Sequence, residues 1–111
     1  MIDHADLVPA MNKKYGNLYV KDVIPKDTYK GMESDNHQAT VMNLLVANQS
    51  MDEKTAYEIV KTVFEHRDEL IRVHKEAANF KLENQKTAAT GGIPWHPGAL
   101  KYFKEKGVKL D

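Results

Sequence analysis

The chain has 111 residues, and its 16 Lys+Arg balance 16 Asp+Glu, so the formal net charge is zero. No long-range field draws it to nucleic acid or an anionic membrane, and nucleic acid is excluded as an expected partner. Hydrophobic residues at 41% against 29% charged fit one folded domain, or a piece of one, and argue against disorder.

The start, MIDHADLVPAMNKKYG, lacks a basic stretch followed by an apolar one, so no signal peptide is expected. No apolar run approaches the ~20 residues that span a bilayer. Residues 5–16 read as a helix that Asp6 can cap, with Pro9 in the first turn and Gly16 ending it. Residues 18–24 (NLYVKDVI without its Asn) are β-branched and aromatic and stop at Pro25, which predicts a strand. Residues 25–38 carry turn chemistry, with Gly31 as the expected left-handed position.

The run at 39–48 is apolar apart from Thr40 and Asn43 before its polar end, and it reads as a strand covered on both faces. At Ser50 the period changes. Ser50 and Glu53 form an expected capping box, followed by an amphipathic stripe of Ala56, Ile59, Val60, Val63 and Phe64. Leu70, Ile71 and Val73 continue an inner face, and Ala77, Ala78, Phe80 and Leu82 extend it less regularly. Residues 86–92 (KTAATGG) read as a loop. Pro97 then suits a first helical position, Leu100 and Phe103 make an apolar stripe, and Gly107 is a stop. From 50 to 111 the chain is therefore mainly helical.

The fold class that follows is α/β, with two main strands and three to four helices in a single partial domain. Two strands bury a doubly apolar segment badly, since three or more are usually needed. The sheet is accordingly expected to be completed by self-association, or by protein that is not in this chain.

Chemistry is sparse. The five histidines, His4, His37, His66, His74 and His96, do not form the i, i+4 pair of a helical zinc site, so no metal is expected. The absence of cysteine removes disulfides and thiolate ligands without choosing a compartment. No nucleophile elbow and no phosphate-binding glycine motif is present, so neither enzyme activity nor a cofactor is expected. Thr40 and Asn43, polar residues set into an apolar strand, need partners or face a polar ligand. Tyr29, in the loop Thr28-Tyr29-Lys30-Gly31, is a third candidate. In Ile93-Pro94-Trp95-His96-Pro97-Gly98-Ala99, an architectural reading prevails: Trp95 fills the core and His96 caps or packs at the start of a helix.

Taken together, several segments resemble the closing portion of TAXI-type substrate-binding proteins of TRAP transporters. They are Ile24-Pro25-x-x-Thr28-Tyr29-x-Gly31, Ala39-Thr40-Val41 with Asn43-Leu44-Leu45-Val46, Ala56-Tyr57-x-Ile59 leading to Phe64-Glu65, and Glu83-Asn84. Most distinctive is Pro94-x-His96-Pro97-Gly98-Ala99-x-x-Tyr102-Phe103-x-Glu105-x-Gly107, which is similar to that family's terminal signature. The resemblance runs from about Leu7 onward and corresponds to roughly the last third of such receptors.

It implies the C-terminal fragment of a type II periplasmic-binding-protein-like fold, in which 39–48 is a crossover strand and the later helices pack on the first lobe. It also implies a periplasmic or extracytoplasmic receptor that binds a small organic acid or amino acid and passes it to membrane permease subunits. Tyr29, Thr40 and Asn43 would lie nearest the ligand, with Pro94, His96, Pro97 and Gly98 as structural signature. The competing expectation is a free-standing cytoplasmic α/β interaction module, homodimeric and without catalytic activity.

Overall fold

A computed structural model describes residues 1–85 and 92–110. The loop expected at 86–92 falls, apart from Gly92, outside them. The architecture is mixed α/β, with two antiparallel strands and five α-helices among the described residues. Its contacts divide into two units, one of residues 1–44 with 92–93, the other of residues 45–85 with 94–110.

In the first unit a 3-10 turn, Ala5–Leu7, leads into α1, Val8–Tyr15. Asp6 makes no capping bond, and Pro9 sits in the first turn of α1, where no N–H is needed. Gly16 closes the helix, its N–H donating to Asn12 O at 3.0 Å. Strands β1, Val20–Ile24, and β2, Asn36–Thr40, pair from Val20↔Thr40 to Ile24↔Asn36.

Both strand expectations need correction. β1 starts two residues later than expected because Asn12 occupies the backbone before it. Its Oδ1 accepts from Leu18 N at 3.1 Å and Tyr19 N at 2.9 Å, and its Nδ2 donates to Tyr19 O at 2.8 Å. Those groups are therefore spent on a side chain instead of a ladder. With β1 beginning at Val20, β2 has no partner beyond Thr40. The expected strand over 39–48 thus stops after its second residue, and Val41, Leu45 and Val46 stand 62%, 76% and 64% exposed. The apolar run is not a covered strand.

The second unit is built on two helices, α2, Glu53–Glu65, and α5, Pro97–Glu105. The expected capping box is replaced by Asp52. Its Oδ1 accepts from Thr55 N at 2.9 Å, and Thr55 Oγ1 donates to its Oδ2 at 2.6 Å. These bonds hold the Asp52 carboxyl below its ordinary range, the Thr55 hydroxyl most of all. A carboxylate at this end also meets the positive end of the helix dipole. Ser50 instead closes a turn, its N and Oγ both donating to Asn48 Oδ1 at 2.9 Å.

The inner face of α2 is rotated from the expected stripe. Ala56 is buried, Tyr57, Val60 and Phe64 pack on the core, and Ile59 is 39% exposed. After α2 come α3, Arg67–Val73, a 3-10 turn, Lys75–Asn79, and the single turn α4, Leu82–Gln85. Val73, expected inside, points outward at 84% exposure.

The core is Ala99, Tyr102, Phe103 and Val108, joined by Trp95, Leu82 and the α2 side chains. Phe103 meets Trp95 at 5.5 Å and Phe64 at 5.7 Å, both edge to face, while Phe64 stacks on Tyr102 at 5.8 Å. Each such pair adds about 0.5–1.5 kcal/mol beyond area burial. α5 ends in a Schellman motif, with Val108 N donating to Phe103 O at 2.9 Å and Gly107 N to Lys104 O at 3.1 Å. Gly107 supplies the required φ of 73°, and Val108 folds back onto the core.

Gly98 determines how near the two helices come. A Cβ there would overlap Glu53 O, and would lie 2.6 Å from Tyr57 N and 2.8 Å from the Ala56 Cβ. The first two are backbone atoms and cannot move aside as a flexible side chain would. Gly98→Ala therefore forces the helices apart and is expected to cost about 1–3 kcal/mol. Phe103→Ala, which empties a 2% exposed site, is expected to cost about 3–5 kcal/mol. Urea unfolding of each variant measures both, and an unchanged midpoint for Gly98→Ala would refute the close approach.

Candidate functional site

The three residues expected nearest a ligand, Tyr29, Thr40 and Asn43, all belong to the first unit. Tyr29 lies in the turn region between the strands, 58% exposed, its carbonyl accepting from Met32 N at 3.1 Å. Thr40 is the last residue of β2, half-buried opposite Val20. Asn43 follows in the exposed segment after it. Thr40 and Asn43 thus stand three positions apart along the chain where it leaves the open end of the hairpin. Tyr29 is held beyond the other end, and the four-residue rise of β2 alone separates the two ends by roughly 13 Å.

The same hairpin carries a polar cluster that no local sequence signal marks. Asp3 Oδ1 accepts from Asn36 Nδ2 at 2.7 Å and from His37 N at 2.8 Å, and Oδ2 faces His37 Nδ1 at 3.4 Å. His4 N donates to His37 O at 2.9 Å. The outward-pointing backbone groups of His37 are therefore both satisfied by residues 3 and 4, which blocks strand addition at that point of the edge. Asn36, only 3% exposed, turns its amide nitrogen to the carboxylate because a carboxylate only accepts. Its Oδ1 is consequently left buried without a partner among the described residues. The Asp3 carboxyl sits below its ordinary range, chiefly through the His37 backbone N–H, with desolvation opposing and the His37 side chain adding to the fall.

The signature residues lie in the second unit. His96 is the N-cap of α5. Its Nε2 is 3.0 Å from Met51 O, which can only accept, so Nε2 carries the proton. Nδ1 is then free to accept from Gly98 N at 3.2 Å. One imidazole thus caps α5 and ties it to the chain just before α2. Pro97 follows where a helix has no use for an N–H, and Pro94 is exposed ahead of the half-buried Trp95. Tyr57, from the α2 side, donates its hydroxyl to Glu105 Oε2 at 2.7 Å, and its phenol is pushed up to about 12, mainly by that bond.

A sequence model of the NMT1-like family matches residues 2–107. The chain belongs to the NMT1-like family. That family is related to periplasmic solute-binding proteins, and its members are binding proteins rather than enzymes, usually extracytoplasmic. The match includes Asp3 and the His96 signature. No helix among the described residues is long and apolar enough to cross a membrane. In an NMT1-like chain the chemistry to look for is thus recognition of a small molecule in the context of transport.

The Asp3 cluster makes a pH prediction. Because the folded carboxyl titrates below its ordinary 3.8, the unfolded chain binds more protons between the two values. Its stabilisation is therefore complete above about pH 4–5 and is lost as the pH falls through the folded value. Asp3→Asn should flatten that acid limb in urea midpoints measured from about pH 6 to 2. An unaltered slope would show that Asp3 contributes nothing to it.

Proposed function

We propose that the chain is the C-terminal portion of a TAXI-type receptor of a TRAP transporter, which captures a small organic acid or amino acid for uptake. The observation that carries this reading is the family match across residues 2–107, taken with the terminal signature. That signature supports it physically. His96, Pro97, Gly98, Tyr102, Phe103, Glu105 and Gly107 each have a part in capping, docking or ending α5.

In this reading Thr40 and Asn43 offer a hydroxyl and an amide at the open end of the hairpin, groups suited to a carboxylate or an amino group. Tyr29, beyond the other end of the ladder, is too far from them to share a small solute and would touch only a different part of the cleft. The receptor needs no cofactor, and its partners are the solute and the membrane permease subunits. Uptake of labelled carboxylates and amino acids by cells with and without the gene tests the role. Loss of one solute's uptake supports the receptor, and unchanged uptake of every solute overturns it. The chain alone should show no saturable calorimetric signal with dicarboxylates or amino acids, because one wall of the cleft belongs to the rest of the receptor.

Val41 and Leu44 favour a second property, self-association. Both are large apolar side chains left exposed directly after the two-stranded sheet of the first unit, a surface that gains by being covered. A homodimeric cytoplasmic interaction module is the reading this surface favours if uptake is unaffected. Light scattering should find the isolated chain as a dimer or larger, and a clean folded monomer at high concentration would contradict this.

A further inference from the structure

The core accounts for the inward side of α2 but not for its outward side. Lys54, Thr55, Glu58, Ile59, Thr62 and Val63 border an open depression of about 560 Å³ there. Ile59 is 39% exposed and Val63 half-buried, so a short apolar strip lies along the helix among threonines. Beside the strip stand Lys54, Glu58, Lys61 and Glu65, spaced i, i+4, i+7 and i+11 and therefore in one row.

The signs in that row alternate. Within one helix the order is poorly used, because Lys54–Glu58 and Lys61–Glu65 run from cation to anion, the weaker direction for an i, i+4 pair. Among the described residues Lys54, Glu58 and Lys61 make no ion pair, and Glu65 meets only Lys106, at 3.5 Å. The row is neutral, so a partner of a single charge sign is repelled as much as attracted. A partner carrying the same alternation in reverse is attracted at every position. Lys54 and Glu65, like Glu58 and Lys61, lie equally far on either side of the point midway between Ile59 and Val60. Turning the helix end for end therefore exchanges every cation for an anion. A second α2 laid antiparallel is such a partner, whereas a parallel one would set like charges together.

We propose that the outward face of α2 is a contact between two copies of this chain, paired antiparallel about a two-fold axis. Lys54 meets the copy's Glu65 and Glu58 meets the copy's Lys61, each twice by symmetry. Ile59 lies against the copy's Ile59, and Val63 against the copy's Thr55. The charged row is roughly 16 Å long, which places the contact at the small, weak end of specific interfaces. Every residue of it is in the second unit. It is therefore separate from the surface at Val41 and Leu44 and does not rest on the receptor reading.

Sedimentation velocity of the whole chain, from micromolar to millimolar concentration, tests the pairing. A reversible dimer is expected, weakening as salt rises from about 0.05 to 0.5 M. Glu58→Lys, at an exposed position, makes both Glu58–Lys61 contacts repulsive and should raise the dissociation constant roughly tenfold. Adding Lys61→Glu restores opposite signs at every position and should recover the affinity to within about threefold. Val41→Asp, in the first unit, should leave these differences unchanged. Because the chain has no cysteine, Ile59→Cys supplies a single thiol, which should give a disulfide-linked dimer on mild oxidation. Lys75→Cys, exposed but away from this face, should not. No concentration-dependent mass, indifference to Glu58→Lys, a double variant no tighter than the single, or failure of Ile59→Cys to cross-link would each overturn the proposal.

Discussion

The second unit depends on a missing side chain. Gly98 lets the first turn of α5 rest on the backbone of α2, at a distance where any Cβ would overlap Glu53 O and Tyr57 N. Everything else in that unit follows from the approach. Ala99, Tyr102 and Phe103 are carried in far enough to be buried, and Phe64 and Tyr57 come within ring contact of them. The exposed ion pairs across the same seam, Lys101 with Glu53 and Lys106 with Glu65, are secondary, because water screens them on both sides. His96 secures the arrangement by serving two helices with one ring.

The first unit works differently, since it is held by polar side chains standing in for backbone. Asn12 satisfies three main-chain groups before β1, and Asp3 satisfies the edge of β2. Such substitutes stop a sheet as well as support it. They explain why each strand is five residues long and why the apolar segment after Thr40 is left uncovered. The consequence for function is that Thr40 and Asn43 stand at the mouth of the ladder, where the chain leaves regular pairing.

Legibility in the sequence followed the range of the interactions. α5 could be bounded closely because Pro97, His96 and Gly107 act on their own helix within a few residues. The helical character of α2 was also visible, although its cap was not. Both Ser50 and Asp52 are good caps, and the choice rests on Thr55, which gives Asp52 two bonds while Asn48 draws Ser50 into a turn. The strand expected at 39–48 failed for a nonlocal reason. An apolar run is compatible with a strand only if another strand lies alongside, and β1 begins too late to provide one. The Asp3, Asn36 and His37 cluster is invisible in the sequence because Asp3 stands more than thirty positions from the other two.

From the residue order alone came the α/β class, the starts and stops of the helices that carry their own punctuation, and a family resemblance spread over many short segments. Those are properties of neighbours along the chain, where propensity and capping act. Tertiary structure alone decided which face of α2 turns inward, where the hairpin ends, and that Gly98 is a contact point. Each of these turns on two distant segments competing for the same space or the same hydrogen bond, and neither segment records the outcome.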